Sequence, residues 1–177
     1  FDKVAASLLE QINILSETAT AFSNFSRFHS EAPTEIELNS LIREQIALFS
    51  TSEHIKIHFE PSAQEARIVG QRSQIIRILV NLLGNAIQAV EAQAIGVITV
   101  RVEEEGDQYL IQIADNGPGV APENRDRLFK PNFTTKSSGT GLGLAICRGI
   151  LDQYQGTISY SSSEWGGACF NIRIPKK

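Results

Sequence analysis

Three side-chain amides recur in the sequence at a spacing typical of a helix. Asn81, Asn85 and Gln88 stand at i, i+4 and i+7, so a helix places them on one face. Asparagine is a mediocre helix former, and its amide oxygen is a hard ligand that suits Mg²⁺. The pattern therefore predicts a cation site, although a solvated polar helix face would have the same spacing.

An acidic residue before a glycine-rich turn is the second candidate. Asp115 ends an apolar run that we predict as a strand, and Asn116-Gly117-Pro118-Gly119 follows it. A carboxylate at a strand end can accept a hydrogen bond from an exocyclic amino group such as that of adenine, while glycines let the backbone approach a flat ring. A plain Asp-Asn-Gly turn would look the same, so both interpretations stay open at this point.

The third candidate is the glycine-rich run from Gly139 to Leu144, which opens a predicted helix and offers backbone N–H groups to phosphates. No lysine follows the glycines and no strand precedes them, which argues against a P-loop or a dinucleotide-binding turn. The preceding loop, Val120 to Ser138, has a local excess of two positive charges, from Arg125, Arg127, Lys130 and Lys136 against Glu123 and Asp126. We predict that this loop is mobile without nucleotide and closes over it as a lid.

Hydrophobic periodicity assigns the elements that position these residues. They group into helices apart from a largely antiparallel sheet, which indicates an α+β two-layer sandwich. The predicted helices span Ser40 to Phe49, Arg72 to Gln93 and a stretch from Leu142 to Ile150, and the predicted strands span His54 to Phe59, Val97 to Glu104, Tyr109 to Ala114, Thr157 to Ser161 and Ala168 to Ile174.

A separate helix of about 28 residues is predicted at the start of the chain, ending before Pro33. Its apolar stripe needs a partner, either the rest of this chain or a bundle whose other helices the sequence does not supply. We divide the chain into a helix over residues 1–30 and a domain over residues 31–177. The stripe is formed by Leu8, Ile12, Leu15, Ala19 and Phe22.

Composition limits the classes of function. The net charge of −4 argues against a general binder of nucleic acid or of anionic membranes. We see no run of about 18 apolar residues that could span a bilayer. Cys147 and Cys169 lack the spacing of a zinc knuckle or redox pair, which fits a reduced, cytoplasmic setting. The absence of methionine indicates a fragment of a longer protein.

Four motifs together resemble the N, G1, F and G2 boxes of sensor histidine kinases, in that family's order. They are NLLGNA from Asn81, DNGPG from Asp115, LFKPNFTTK from Leu128 and GTGLGLAI from Gly139. The resemblance covers about residues 34–175, with Gly166 to Pro175 similar to the family's closing strands. The preceding helix, which ends in FSNFSR, resembles the second helix of the family's dimerisation and phosphotransfer bundle.

This resemblance implies the Bergerat ATP-binding fold, with the helices on one face of the sheet and one long helix before it. It implies that Asn81 and Asn85 are catalytic and hold Mg²⁺ with the triphosphate. It also implies that Asp115 accepts a hydrogen bond from the adenine amino group. The phenylalanines would anchor the lid, although ordinary core anchors would look alike. The other implied ATP contacts are Gly117, Gly119, Phe129, Phe133, Thr135, Lys136, Gly139, Thr140, Gly141, Leu142 and Gly143.

The implied activity is that of a protein histidine kinase in two-component signalling. Mg·ATP would give its γ-phosphate to a histidine on a helix of the same parent protein, and a response regulator receiver domain would be a partner. The parent would form a homodimer through the helical bundle. The fragment itself would contact neither nucleic acid nor membrane, and whether its parent is membrane-anchored stays open.

Two departures and one absence qualify the resemblance. Gln88 stands where many relatives have a basic residue, and Ala168 replaces a threonine often found near the adenine. None of His29, His54 and His58 has the family's H-box context, so we expect no autophosphorylation of the fragment.

Two other functions remain to be weighed against the kinase. ATPases of the gyrase, MutL and chaperone kind share this fold but place a water-activating glutamate where this sequence has Asn81. A non-catalytic ATP-sensing module stays open, since complete nucleotide motifs do not prove turnover.

Overall fold

A computed structural model describes residues 31–49, 54–134 and 140–176 of the chain. The predicted N-terminal helix lies outside these residues. A short 3₁₀ helix, Pro122–Arg127, lies between the fifth strand and the last α-helix of the described residues. The strands are β1 Thr34–Glu37, β2 Ile55–Glu60, β3 Arg67–Gly70, β4 Gly96–Glu105, β5 Gln108–Asp115, β6 Thr157–Ser162 and β7 Ala168–Pro175, and the α-helices are α1 Leu38–Phe49, α2 Arg72–Val90 and α3 Gly143–Gln153.

The main sheet has five strands in the order β2-β4-β5-β7-β6. Among the strands of the described residues, only β2 and β4 pair in parallel, because α2 lies between them as a crossover. The pairs β4–β5, β5–β7 and β6–β7 are antiparallel. β4 and β5 form a hairpin, with Gly106 at φ +61° in its turn. The α+β prediction with a mostly antiparallel sheet is therefore confirmed.

Buried apolar residues of the three helices and of the sheet form one core. In α2, Leu79 and Leu82 are at most 1% exposed, and they share one cluster with Ile98 of β4 and Ile113 of β5. Full burial of such a side chain contributes about 1.5–3 kcal/mol relative to its exposure. Among the described residues, α2 is long and apolar enough to pass for a membrane span, yet 44% of that window is buried inside the protein. Its apolar residues therefore serve the core.

A second sheet of two strands, β1 and β3, was not predicted from the sequence. The two strands pair antiparallel, with Ile36 opposite Ile68. Glu37, at the end of β1, accepts hydrogen bonds from the backbone N–H groups of Ser40 at 2.6 Å and Ala66 at 3.2 Å. This carboxylate caps the start of α1 and ties it to the chain before β3.

The predicted end of α2 was wrong. We predicted that α2 would end at Gln93, but it ends at Val90, and the N–H of Gln93 donates to the Val90 carbonyl in a turn. The chain turns early because β4 begins at Gly96, where a Cβ would lie 2.7 Å from the Val90 side chain. His54 precedes β2 in a turn and is exposed, as is His58.

Candidate functional site

Asp115 closes β5 and is only 2% exposed. Its Oδ1 accepts hydrogen bonds from the N–H of Gly117 at 2.9 Å and the N–H of Ala168 at 3.1 Å, and its backbone carbonyl accepts one from the Ser163 hydroxyl at 2.7 Å. Such donors offset the cost of burying a carboxylate and fix its orientation. The predicted acceptor at the strand end is therefore held in place by two loops.

Three glycines allow these loops to approach. A Cβ at Gly117 would lie 2.8 Å from the Ala89 carbonyl oxygen, and one at Gly119 would lie 2.9 Å from the Gly166 carbonyl oxygen. The closest approach is at Gly167, where a Cβ would lie 2.1 Å from the Asp115 carbonyl oxygen. The site prediction missed Gly167, although a Gly-Gly pair directly before a strand was the available signal.

The second group of predicted residues meets at the interface of α2 and α3. The amide nitrogen of Asn81 donates to the carbonyl oxygen of Gly143, the first residue of α3, at 3.5 Å. At the other end of the interface, Gln74 of α2 lies 3.4 Å from Gln153 of α3, so the helices run antiparallel. Asn81 therefore stands at the start of α3, where backbone N–H groups favour phosphate.

The other two amides of α2 differ in burial. Asn85 lies one turn beyond Asn81 and is half-buried, whereas Gln88 is exposed. The structure thus places Asn81 beside the start of α3, with Asn85 half-buried one turn further along α2 and Gln88 on the surface. The assignment of Asn81 and Asn85 to the metal stays a prediction.

The glycine-rich run folds back on the preceding loop. Gly141 has φ +66°, and a Cβ there would lie 2.7 Å from the backbone nitrogen of Phe133. Thr140 is exposed, and Leu142 accepts the first helical hydrogen bond of α3 from the N–H of Ile146 at 2.9 Å. Thr135, Lys136 and Gly139 lie outside the described residues.

The predicted lid anchors have separate surroundings. Phe129 packs edge-on against Phe170 of β7, with 6.4 Å between ring centres, while Phe133 lies under the guanidinium of Arg127 at 4.6 Å. Arg125 lies over the Tyr160 ring at 5.4 Å. Phe129 therefore anchors its loop in the core, and lid closure stays a prediction.

The chemistry of these residues fits Mg²⁺ held by amide and phosphate oxygens. The described residues contain no group of three or more His, Cys, Asp or Glu that could hold a metal ion. The Asn81 nitrogen is directed at Gly143, which leaves its oxygen as the group for a cation. A Cβ at position 143 would lie 3.3 Å from that oxygen, so glycine keeps the adjoining space clear.

A polar acceptor at one end and a glycine-rich helix start at the other, on a two-layer sandwich, define the class of ATP-binding α+β domains. The chain belongs to the family of histidine kinase-, DNA gyrase B-, and HSP90-like ATPases, whose model matches residues 70–177. The resemblance seen in the sequence is therefore confirmed.

Curated relatives place the chain nearer one branch of that family. It is 38% identical over 144 residues to the sensor histidine kinase ZraS of Salmonella typhi, covering 79% of this chain and 30% of ZraS. It is 32% identical over 174 residues to the C4-dicarboxylate transport sensor protein DctB of Rhizobium meliloti, covering 97% of this chain and 27% of DctB. The chain thus spans about a third or less of the curated relatives it matches.

Solved structures confirm the fold. The catalytic domain of histidine kinase ThkA superposes with a TM-score of 0.73 at 36% identity, covering 81% of this chain and 95% of that one. ThkA in complex with the response regulator protein TrrA matches with a TM-score of 0.73 at 32% identity, covering 94% of this chain and 49% of that one.

Proposed function

We propose that this chain is the catalytic and ATP-binding part of a sensor histidine kinase, which binds Mg·ATP and transfers the γ-phosphate to a histidine on a separate helix. The observation that carries the proposal is the hydrogen bond from the Asn81 side chain to Gly143, the first residue of α3. Residues 1–30 would belong to the dimerisation bundle and residues 31–177 to the catalytic domain. The kinase relatives and the ThkA catalytic domain support this assignment.

Each end of the site has its own task. Asp115 accepts a hydrogen bond from the adenine amino group, with Gly117 and Gly119 keeping the backbone close to the ring. Asn81 and Asn85 hold Mg²⁺, which when bound neutralises charge on the triphosphate. Gly141 and Gly143 let the helix start approach the phosphates, with Thr140 and Leu142 beside them. Catalysis then consists mainly of positioning.

The acceptor histidine must come from elsewhere. His54 and His58 are exposed at β2, an edge strand, whereas Asp115 ends the central strand β5. His29 lies outside the described residues. A helix of the parent protein, paired with residues 1–30 in a homodimeric bundle, would supply the nucleophile, and a response regulator receiver domain would take the phosphoryl group, all in the cytoplasm. The complex of ThkA with TrrA supports such a partner.

The alternative of an ATP-hydrolysing machine receives less support. Hydrolysis needs a base to activate water, and Asn81 presents an amide where those ATPases have glutamate. An amide cannot accept a proton at neutral pH. Slow turnover without an acceptor helix is therefore expected.

Replacing Asp115 by Asn tests the adenine end. Loss of the charged acceptor should weaken ATP binding by about 1.5–3 kcal/mol, which is about tenfold to more than a hundredfold in Kd. Calorimetric titration with ATP and with GTP measures the change. An unchanged ATP affinity would remove Asp115 from the adenine site.

Phosphotransfer tests the kinase assignment. The chain is incubated with γ-labelled ATP, alone and with a separately supplied histidine-bearing helix of the parent protein. We expect acid-labile, alkali-stable label on the helix and none on the chain. Label on the chain alone would contradict the proposed role of the separate helix, and an unlabelled helix would favour the non-catalytic module.

A further inference from the structure

The interface between α2 and α3 contains a second polar side chain next to Asn81. Cys147 lies one helical turn after Gly143 on α3 and is 0% exposed. Its sulfur lies 4.0 Å from the carbonyl oxygen of Ile78, which precedes Asn81 by three residues on α2. The antiparallel packing thus brings the thiol and the Asn81 amide to the same level of the interface.

The Asn81 amide nitrogen donates to the Gly143 carbonyl oxygen at 3.5 Å. The Asn81 side chain also has a hydrogen bond with Cys147, whose sulfur lies against the Ile78 carbonyl. Because the nitrogen is occupied on the α3 side, the amide oxygen is presented to the space that Gly143 keeps clear. A rotation of the amide by half a turn would place its oxygen against the Gly143 carbonyl oxygen, which can only accept.

We infer that Cys147 is a positioning residue, which fixes the orientation of the Asn81 amide so that its oxygen faces Mg²⁺ and the triphosphate. This inference rests on the proposed function. Burial raises the pKa of the Cys147 thiol to about 12, while the hydrogen bond with Asn81 and the charge of Arg77 act in the opposite direction. The thiol therefore stays neutral at physiological pH and acts through hydrogen bonds, without ionising.

Cys169 provides a matched control. It is also buried, but it belongs to β7, and its sulfur lies 3.7 Å from the side-chain oxygen of Asn171. The same substitution at Cys169 changes a buried thiol that has no hydrogen bond with Asn81. It therefore reports the cost of altering the core without altering the amide.

The test compares Cys147→Val, Cys147→Ala, Cys147→Ser and Cys169→Val in calorimetric ATP titrations with and without Mg²⁺. Valine and alanine remove the acceptor, whereas serine keeps it. We expect the strengthening of ATP binding by Mg²⁺ to fall about twofold to tenfold in the valine and alanine variants, as for one lost hydrogen bond. We expect it to be kept in Cys147→Ser and Cys169→Val, with Mg²⁺-free ATP affinity unchanged throughout.

A double-mutant cycle with Asn81→Ala separates amide positioning from a packing defect. Once the amide is gone, Cys147→Val should cause no further loss of Mg²⁺ dependence. An equal loss in that background, or a Mg²⁺ dependence of Cys147→Val and Cys147→Ala identical to wild type, would overturn the inference. A wild-type chain that binds ATP equally with and without Mg²⁺ would instead overturn the proposed function itself.

Discussion

The two ends of the site are held by different means. At the Asp115 end, backbone N–H groups and closely packed glycines fix the carboxylate, and all belong to the sheet or to its connecting loops. At the Asn81 end, a side chain reaches from one helix to the start of another. At the Asp115 end, a substitution that adds atoms must displace the backbone. At the Asn81 end, a substitution can remove one side-chain hydrogen bond and leave the backbone in place. The difference predicts how substitutions at each end should rank.

The largest effect is expected for Gly167→Ala. The added Cβ would lie 2.1 Å from the Asp115 carbonyl oxygen, so β7 or the end of β5 must move. We expect a loss of about 3 kcal/mol or more in unfolding free energy, which lowers Tm by about 6–12 °C. Adenosine and ATP should lose affinity alike, since both use this end of the site.

Gly149→Ala is the control for that substitution. Gly149 lies within α3, and a Cβ there would meet no atom within 4 Å apart from its chain neighbours and the backbone of its own helix. Alanine should therefore stabilise the helix by up to about 1 kcal/mol. Thermal unfolding and adenosine titration of both variants check the comparison. A Gly167→Ala chain as stable as wild type would mean that the end of β5 is not rigidly held.

Gly141→Ala should have an intermediate effect, confined to the phosphates. A left-handed backbone costs an alanine about 1–2 kcal/mol, and its Cβ would lie 2.7 Å from the backbone of Phe133. We expect ATP affinity to fall about tenfold while adenosine affinity stays the same. Paired titrations measure the two ligands, and an equal loss for both would contradict separate ends.

The same comparison shows which features of the fold and of the site could be predicted from the sequence. Asp115 was identifiable because it follows an alternating strand and precedes glycines, and β4, β5 and β7 have enough alternating residues to be recognised. β1 and β3 have four residues each, too few for a clear period. The Gly-Gly pair before β7 marked Gly167 as a turn, but its close approach to Asp115, like the packing of Cys147 on α2, depends on segments far apart in sequence.

The smallest effect should come from Glu37 at the end of β1, which caps α1, a helix that contains none of the predicted site residues. Burial acts to raise the pKa of Glu37, but hydrogen bonds from Ser40, Ala66 and Asn39 together hold it below the ordinary value of 4.5. The charged form thus favours the folded state. Its contribution is present in full above about pH 4.5 and is lost as the pH falls through the lowered value.

Glu37→Gln keeps the size of the side chain but removes its charge. We expect it to lower the unfolding free energy by at most about 1 kcal/mol at pH 7, since it weakens one helix cap. The difference from wild type should shrink as the pH falls below about 4.5, because wild-type Glu37 then becomes protonated too. Urea unfolding at several pH values measures this difference.

Because Glu37 stabilises the fold and does not belong to the predicted site, the affinities of Glu37→Gln for adenosine and ATP at neutral pH should stay unchanged. A selective loss of ATP affinity in Glu37→Gln would show that α1 is coupled to the phosphate end, and the two ends of the site would then not be independent.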